Sequence, residues 1–191
     1  MNTTNAIIVH GAYGYPEENW FSWLKCQLEY VSIPCYVPAL PTPDDQSLEN
    51  WISVFNLSVK HLINVNTILI GHSLGAAFIF RWLEQHDCKL LAVMVAGAFI
   101  GDVGIERFDR INRSFLMTSF DWARIKCQAN YYVCYHGTND IYVSSQHYYC
   151  IANYLCAKKI IISNAGHFHT ASGYTKFPHL LLHIKQIVEG I

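Results

Sequence analysis

Short runs rich in Ile, Val and Tyr, alternating with longer amphipathic stretches, restrict this chain's folding more than any other feature. Six such runs occur, at Ala6 to His10, Cys35 to Pro38, Thr67 to Ile70, Leu90 to Ala96, Tyr131 to Tyr135 and Lys159 to Ile162. Runs with little polar alternation suit strands buried on both faces, which belong to parallel sheets covered by helices. Helical patterns fall between them at about Glu18 to Tyr30, Ser47 to Leu62, Leu74 to Gln85 and Ser144 to Leu155, and a last one spans Phe177 to Glu189. The order predicts an α/β fold with an open, doubly wound, mainly parallel six-stranded sheet and helices on both faces. In such sheets ligands gather beyond the carboxyl ends of the strands, so chemistry is sought in the segments that follow them.

The 191 residues suit one domain, 1–191, and a domain of this size hides roughly 70% of the surface of its unfolded chain. The longest connection, 97–130, carries Phe99, Phe108, Phe115, Met117, Phe120 and Trp122 among charges and reads as a small cap segment. Pro38 to Pro43 reads as a rigid surface loop within the domain. Charged residues make up only 14% of the chain, against roughly 25% in typical soluble proteins. Some apolar surface is therefore expected outside the core, as a greasy substrate pocket or as the contact of a homodimer. A net charge of −1 argues against nucleic acid as a partner.

No run approaches the ~20 apolar residues of a membrane span, and the first, Ala6 to Val9, is too short for a signal peptide. Seven scattered cysteines without a Cys-x-x-Cys pair read as reduced, structural thiols of a cytoplasmic protein. Asn56-Leu57-Ser58 and Asn112-Arg113-Ser114 match a glycosylation pattern that has no consequence in that compartment.

Gly71-His72-Ser73-Leu74-Gly75 lies between an Ile/Leu run and a helical pattern, where a strand turns sharply into a helix. Small residues at 71 and 75 let strand and helix backbones approach, so that the Ser73 hydroxyl is presented above the sheet. A serine hydroxyl needs a base and a group to orient that base. Asp140 follows the fifth run and His167 the sixth, giving the chain order Ser, Asp, His. His10-Gly11-Ala12-Tyr13-Gly14 follows the first run, and the amides of Ala12 and Leu74 are the expected oxyanion-hole donors.

Simpler roles exist for each residue. Ser73 suits a helix N-cap. Asp140 suits a cap of the following helix, with Asp102, Asp109 and Asp121 as rival acids. His169 rivals His167, and the His-x-His pair, like His179 and His183, has a spacing compatible with metal. His10 and His72 suit local hydrogen bonding. Substrate contacts are expected from His10, Tyr13, Phe99 and Phe108, with Trp20 and Trp23 as further aromatic candidates.

On the His10-Gly11 loop, Gly71 to Gly75, Gly137-Thr138-Asn139-Asp140 and Gly166-His167-Phe168, and more softly on Asp121 to Lys126, the chain resembles the YdeN-like and retinoblastoma-binding protein nine-like small serine hydrolases of the α/β-hydrolase superfamily. Ser144 departs from the pattern, standing where hydrolases often carry a proline. The resemblance spans nearly the whole chain and implies an α/β-hydrolase fold, no cofactor, and cleavage of an ester, thioester or amide of a small acyl substrate through an acyl-enzyme. A silent binding module on the same scaffold and an acyltransferase are the alternatives, since fold alone does not fix activity.

Overall fold

The computed structural model describes residues 3–190. Six parallel strands, β1 (Asn5–Val9), β2 (Cys35–Tyr36), β3 (Thr67–His72), β4 (Leu90–Ala96), β5 (Ala129–Gly137) and β6 (Lys158–Ile162), form one sheet in the order β2-β1-β3-β4-β5-β6. The helices are α1 (Phe21–Tyr30), α2 (Leu48–Val59), α3 (Leu74–Gln85), α4 (Glu106–Leu116), α5 (Trp122–Lys126), α6 (Ser145–Tyr154) and α7 (Pro178–Glu189). This is the expected α/β-hydrolase architecture, all parallel rather than mainly so.

Side chains alternate across the pleat. Ile7 and Val9 of β1 therefore enter the core beneath α2, α3 and α6, whereas Ala6 and Ile8 enter the one beneath α1 and α7. Helix α3 is buried from Leu74 through Leu83. Its other faces meet α2, α4 and α5, so an apolar stripe on one side alone would not serve it.

β1 lies between β2 and β3, so chain direction across the sheet reverses there. The segments leaving β1 and β3 diverge and open a crevice above the strand ends.

Some boundaries differ from the sequence expectation. β2 has only two residues, because the chain leaves the sheet at Val37. β5 is longer, running from Ala129 to Gly137. Helix α1 starts at Phe21, with 18–20 in the preceding turns. The 97–128 connection contains α4 and α5, which the sequence expectation leaves undivided within the cap segment. Phe108, Ile111, Phe115 and Leu116 of α4 do recur at the i, i+3, i+7, i+8 spacing of a helix face, among charged residues on the other side.

That connection is tied down by side chains. Arg81 of α3 donates through Nε to Phe115 O (2.9 Å) and through Nη1 to Ser119 O (3.2 Å), with its guanidinium 3.7 Å from the Phe120 ring centroid. Gln46 Nε2 donates to Ile111 O (3.1 Å) and Asn112 Oδ1 (2.9 Å). Asp109 accepts from the amides of Val103 (2.8 Å) and Gly104 (3.0 Å), and Asp121 caps α5 through the Arg124 amide (3.0 Å). Both of these rival acids are thus used within the connection.

The Pro38 to Pro43 loop is partly internal: Leu40 is buried and Pro41 O accepts from Trp51 Nε1 (2.7 Å). Among the described residues no helix is long and apolar enough to cross a membrane.

Candidate active site

Between β3 and α3 the backbone turns so tightly that Ser73 has φ 55° and ψ −123°. A side chain rarely adopts a positive φ, and strain of this kind persists only where the surroundings fix it. Two glycines permit the turn. A Cβ at Gly71 would fall 2.7 Å from Ala76 Cα, and one at Gly75 would fall 2.3 Å from Val9 O. The Ser73 amide donates to Ala96 O (2.9 Å), which ties the turn to β4. Although Ser73 precedes the helix, its hydroxyl makes no capping bond.

The hydroxyl meets His167 instead, with Nε2 and Oγ 2.9 Å apart. His167 Nδ1 lies 2.8 Å from Asp140 Oδ2. In the tautomer this arrangement selects, Nδ1–H donates to the carboxylate and Nε2 accepts from the serine. Asp140 Oδ1 accepts from the amides of Tyr142 (2.9 Å) and Val143 (3.0 Å). Its side chain is fully buried. Burial alone would raise its pKa, but the hydrogen bond from His167, the charge of that ring and the two amides together hold it below the ordinary aspartate value. Ser144 has φ −68°, close to the angle a proline ring fixes, so the loop takes the proline-like shape without a proline.

The loop carrying His167 is pinned from below. His72 Nε2–H donates to His167 O (2.8 Å), its ring packs against those of Trp20 and Phe21, and its Nδ1 is without a partner among the described residues. Burial, reinforced by the neighbouring His167, lowers the His72 pKa to about 3, so the ring stays a neutral donor. Glycines again permit close approach, since a Cβ at Gly97 would fall 2.9 Å from the His167 ring and one at Gly137 would fall 2.1 Å from Gly166 O.

The two amides expected as oxyanion donors both lie close to Ser73, since Leu74 follows it in the chain and Ala12 lines the same cavity. Leu74 N–H opens α3 and has no acceptor within the helix. Neither it nor Ala12 N–H is taken by a protein acceptor among the described residues. By contrast Tyr13 N–H is bound by Thr42 Oγ1 (2.7 Å). Gly11 abuts the serine, because a Cβ there would lie 3.0 Å from Ser73 Cβ.

A cavity of about 500 Å³ opens over Ser73 and His167, and Tyr13, Phe99 and Phe108 line it as the sequence suggested. His10 does not. It is fully buried, with Nδ1 bonded to Gly11 O (2.8 Å) and Nε2 accepting from the Leu40 amide (3.0 Å), so both ring nitrogens serve to shape the loop. Trp20 and Trp23 also lie outside the lining, in the core beneath α1. Glu18, Asn19, Arg107, Asn112, Tyr142, Val143 and His169 line the cavity without having been singled out for it. Their sequence signal was positional, as residues following strand ends. His169 bonds Ser172 Oγ (2.7 Å), and His183 bonds the Tyr135 hydroxyl (2.7 Å). Among the described residues no three His, Cys, Asp or Glu side chains are grouped as metal ligands.

A family model described as serine hydrolase matches residues 6–186. The chain belongs to this serine hydrolase family. YdeN of Bacillus subtilis (strain 168) is 26% identical over 179 residues, covering 92% of each chain. The serine hydrolase RBBP9 of Rattus norvegicus is 25% identical over 188 residues, covering 97% of this chain and 96% of its own. The crystal structure of the B. subtilis ydeN product superimposes with a TM-score of 0.91 at 24% identity, covering 98% of this chain and 100% of that one. This serine hydrolase therefore shares both family and fold with proteins of nearly its own length, and hydrolysis is its chemistry. Its Ser73, His167 and Asp140 form a hydrogen-bonded series able to move a proton away from a hydroxyl.

Proposed function

We propose that Ser73 is the nucleophile of this hydrolase, His167 its general base and Asp140 the group that orients the imidazole and stabilises its charged form. The observation that carries the reading is the unbroken pair of hydrogen bonds, 2.9 Å from Ser73 to His167 and 2.8 Å from His167 to Asp140. As Ser73 Oγ bonds to a carbonyl carbon, its proton passes to His167 Nε2 and the carbonyl oxygen becomes an oxyanion held by Ala12 and Leu74 N–H. Collapse breaks the bond to the leaving group, which takes the proton from His167. Water, deprotonated by the same nitrogen, then releases the acid and frees Ser73. Each oxyanion donor is worth about 2.7 to 4 kcal/mol in such sites.

The cavity volume of about 500 Å³ favours a small ester, thioester or amide. Aromatic residues from the 97–128 connection roof the cavity, which supports the cap-like role of that segment. Stopped-flow hydrolysis of p-nitrophenyl butyrate tests the mechanism. A burst of one p-nitrophenol per active site, absent in Ser73→Ala, is expected if an acyl-enzyme forms and breaks down slowly. Equal turnover by wild type and Ser73→Ala would eliminate the reading and favour a binding role for the scaffold.

A further inference from the structure

The lining of the cavity over Ser73 combines an aromatic group with a polar segment. Phe108 of α4 stands edge to face with Tyr13 (centroids 5.8 Å apart) and with Tyr142 (5.9 Å), and Phe99 and Val103 add apolar surface to that lining. The Glu18-Asn19 segment supplies the polar part of the lining. Asn19 Oδ1 joins it to the loop after β6 by accepting from Thr170 N (2.8 Å) and Thr170 Oγ1 (3.3 Å).

Glu18 is seated in the room that Gly14 leaves. A Cβ at Gly14 would lie 2.4 Å from Glu18 Oε1 and 3.0 Å from His10 Nδ1. Gly14 N–H donates to Gly11 O (3.2 Å), and Gly11 is the residue packed on Ser73, so the carboxyl sits two residue contacts from the nucleophile. Among the described residues no Lys, Arg or His forms an ion pair with it. Arg107, also in the lining, keeps its guanidinium against Phe108, 4.7 Å from the ring centroid.

An acid near the start of α1 gains a little from the helix dipole, which accounts for a carboxylate near that terminus but not for one facing a cavity. Half-burial without a cation is unfavourable for the charged form. Burial pushes Glu18 up to about 7, opposed by a backbone hydrogen bond at Tyr15. A positively charged ligand group would remove that penalty.

We infer that Glu18 determines specificity by receiving an ammonium group on the leaving half of the substrate, while the acyl half packs on Phe99, Val103 and Phe108. The substrates are thus esters or amides of a small amino alcohol or diamine. This rests on Ser73 being the nucleophile. In the reaction the Ser73 Oγ to carbonyl carbon bond forms, the bond to the amino alcohol's oxygen or the diamine's nitrogen breaks, and that atom takes the proton from His167. Water then releases the acid.

The test pairs 2-(dimethylammonio)ethyl butyrate with its neutral isostere 3-methylbutyl butyrate at pH 8, where the carboxylate is charged. Wild type should favour the cationic ester by about tenfold in kcat/KM, which corresponds to ~1.4 kcal/mol. In Glu18→Gln the ratio should fall towards one, and using a ratio cancels any general loss in the variant. In wild type alone, 2-(dimethylamino)ethanol should inhibit p-nitrophenyl butyrate hydrolysis at lower concentration than 3-methylbutanol. A wild-type ratio at or below one, a ratio unchanged in Glu18→Gln, or labelling by a fluorophosphonate without turnover of either ester would overturn the inference. Absence of labelling would remove the nucleophile reading itself.

Discussion

The β3 to α3 turn and the 97–128 connection border the same cavity, yet they are held by different means. At the turn, backbone lies against backbone with no slack, as the 2.3 Å from a Gly75 Cβ to Val9 O and the 3.0 Å from a Gly11 Cβ to Ser73 Cβ indicate. Beyond Gly97 the connection is held through side chains, by the buried Phe99, Phe115, Phe120 and Ile125 and by Arg81 and Gln46 reaching its carbonyls from neighbouring elements. Only two residues of α4 are buried, against ten of α3. A contact that forbids one added methyl group fixes reacting atoms within a fraction of an ångström, whereas a surface helix on long side chains tolerates substitution. On the proposed function, the tightly packed turn serves the chemistry, and the connection contributes Phe99 and Phe108 to the substrate cavity.

The largest expected effect breaks the chemistry without the fold. Ser73→Ala or Asp140→Asn should lower kcat for ester hydrolysis by about 10⁴-fold or more while leaving the melting temperature within a few degrees. Next comes a methyl group placed in each region. Gly75→Ala should cost more than ~3 kcal/mol, because the new Cβ meets backbone that cannot move aside. Gly104→Ala, at φ +79° with nothing within 4 Å of its Cβ, should cost only ~1 kcal/mol of backbone strain. Urea denaturation of the two variants measures the contrast, and similar losses would dissolve it.

A third prediction concerns acid. His72 has a folded pKa of about 3 against an ordinary 6.5, so between those values the unfolded chain binds a proton that the folded chain refuses. Its contribution to stability is complete above about pH 6.5 and is lost as pH falls towards 3. His72→Gln keeps a donor for His167 O and removes the titration, so its stability should fall less steeply between pH 6.5 and 4. His10, whose pKa burial also lowers, leaves both proteins some acid sensitivity. Parallel curves would contradict the assignment. The smallest effect belongs to the connection: Phe108→Ala should raise KM for apolar acyl esters severalfold, with kcat and stability nearly unchanged.

Much of this was legible in the sequence because the inner strands, buried on both faces, leave continuous apolar runs, and because Ser73, Asp140 and His167 each follow an Ile-, Val- or Tyr-rich run, His167 after the half-exposed edge strand β6. The missed parts have separate causes. Helix α4 does carry a helical period in Phe108, Ile111, Phe115 and Leu116, but the length and aromatic content of the connection drew the reading towards a cap segment instead. Glu18 read as the first turn of α1, since nothing in composition distinguishes a helical glutamate from one turned into a cavity. His10 looked like a substrate contact because it adjoins the oxyanion loop, but its partner, the Leu40 amide, is thirty residues away. The helix pattern proposed from Ser47 did begin there: Ser47 Oγ accepts the Asn50 amide (3.1 Å).

The most direct measurement is peptide mapping by mass spectrometry after treatment with a fluorophosphonate. A single phosphonyl adduct on Ser73, formed rapidly in wild type and far more slowly in His167→Ala, is the predicted result. Modification at another residue, or equal labelling rates in the two proteins, would contradict the claim that the imidazole of residue 167 activates that hydroxyl.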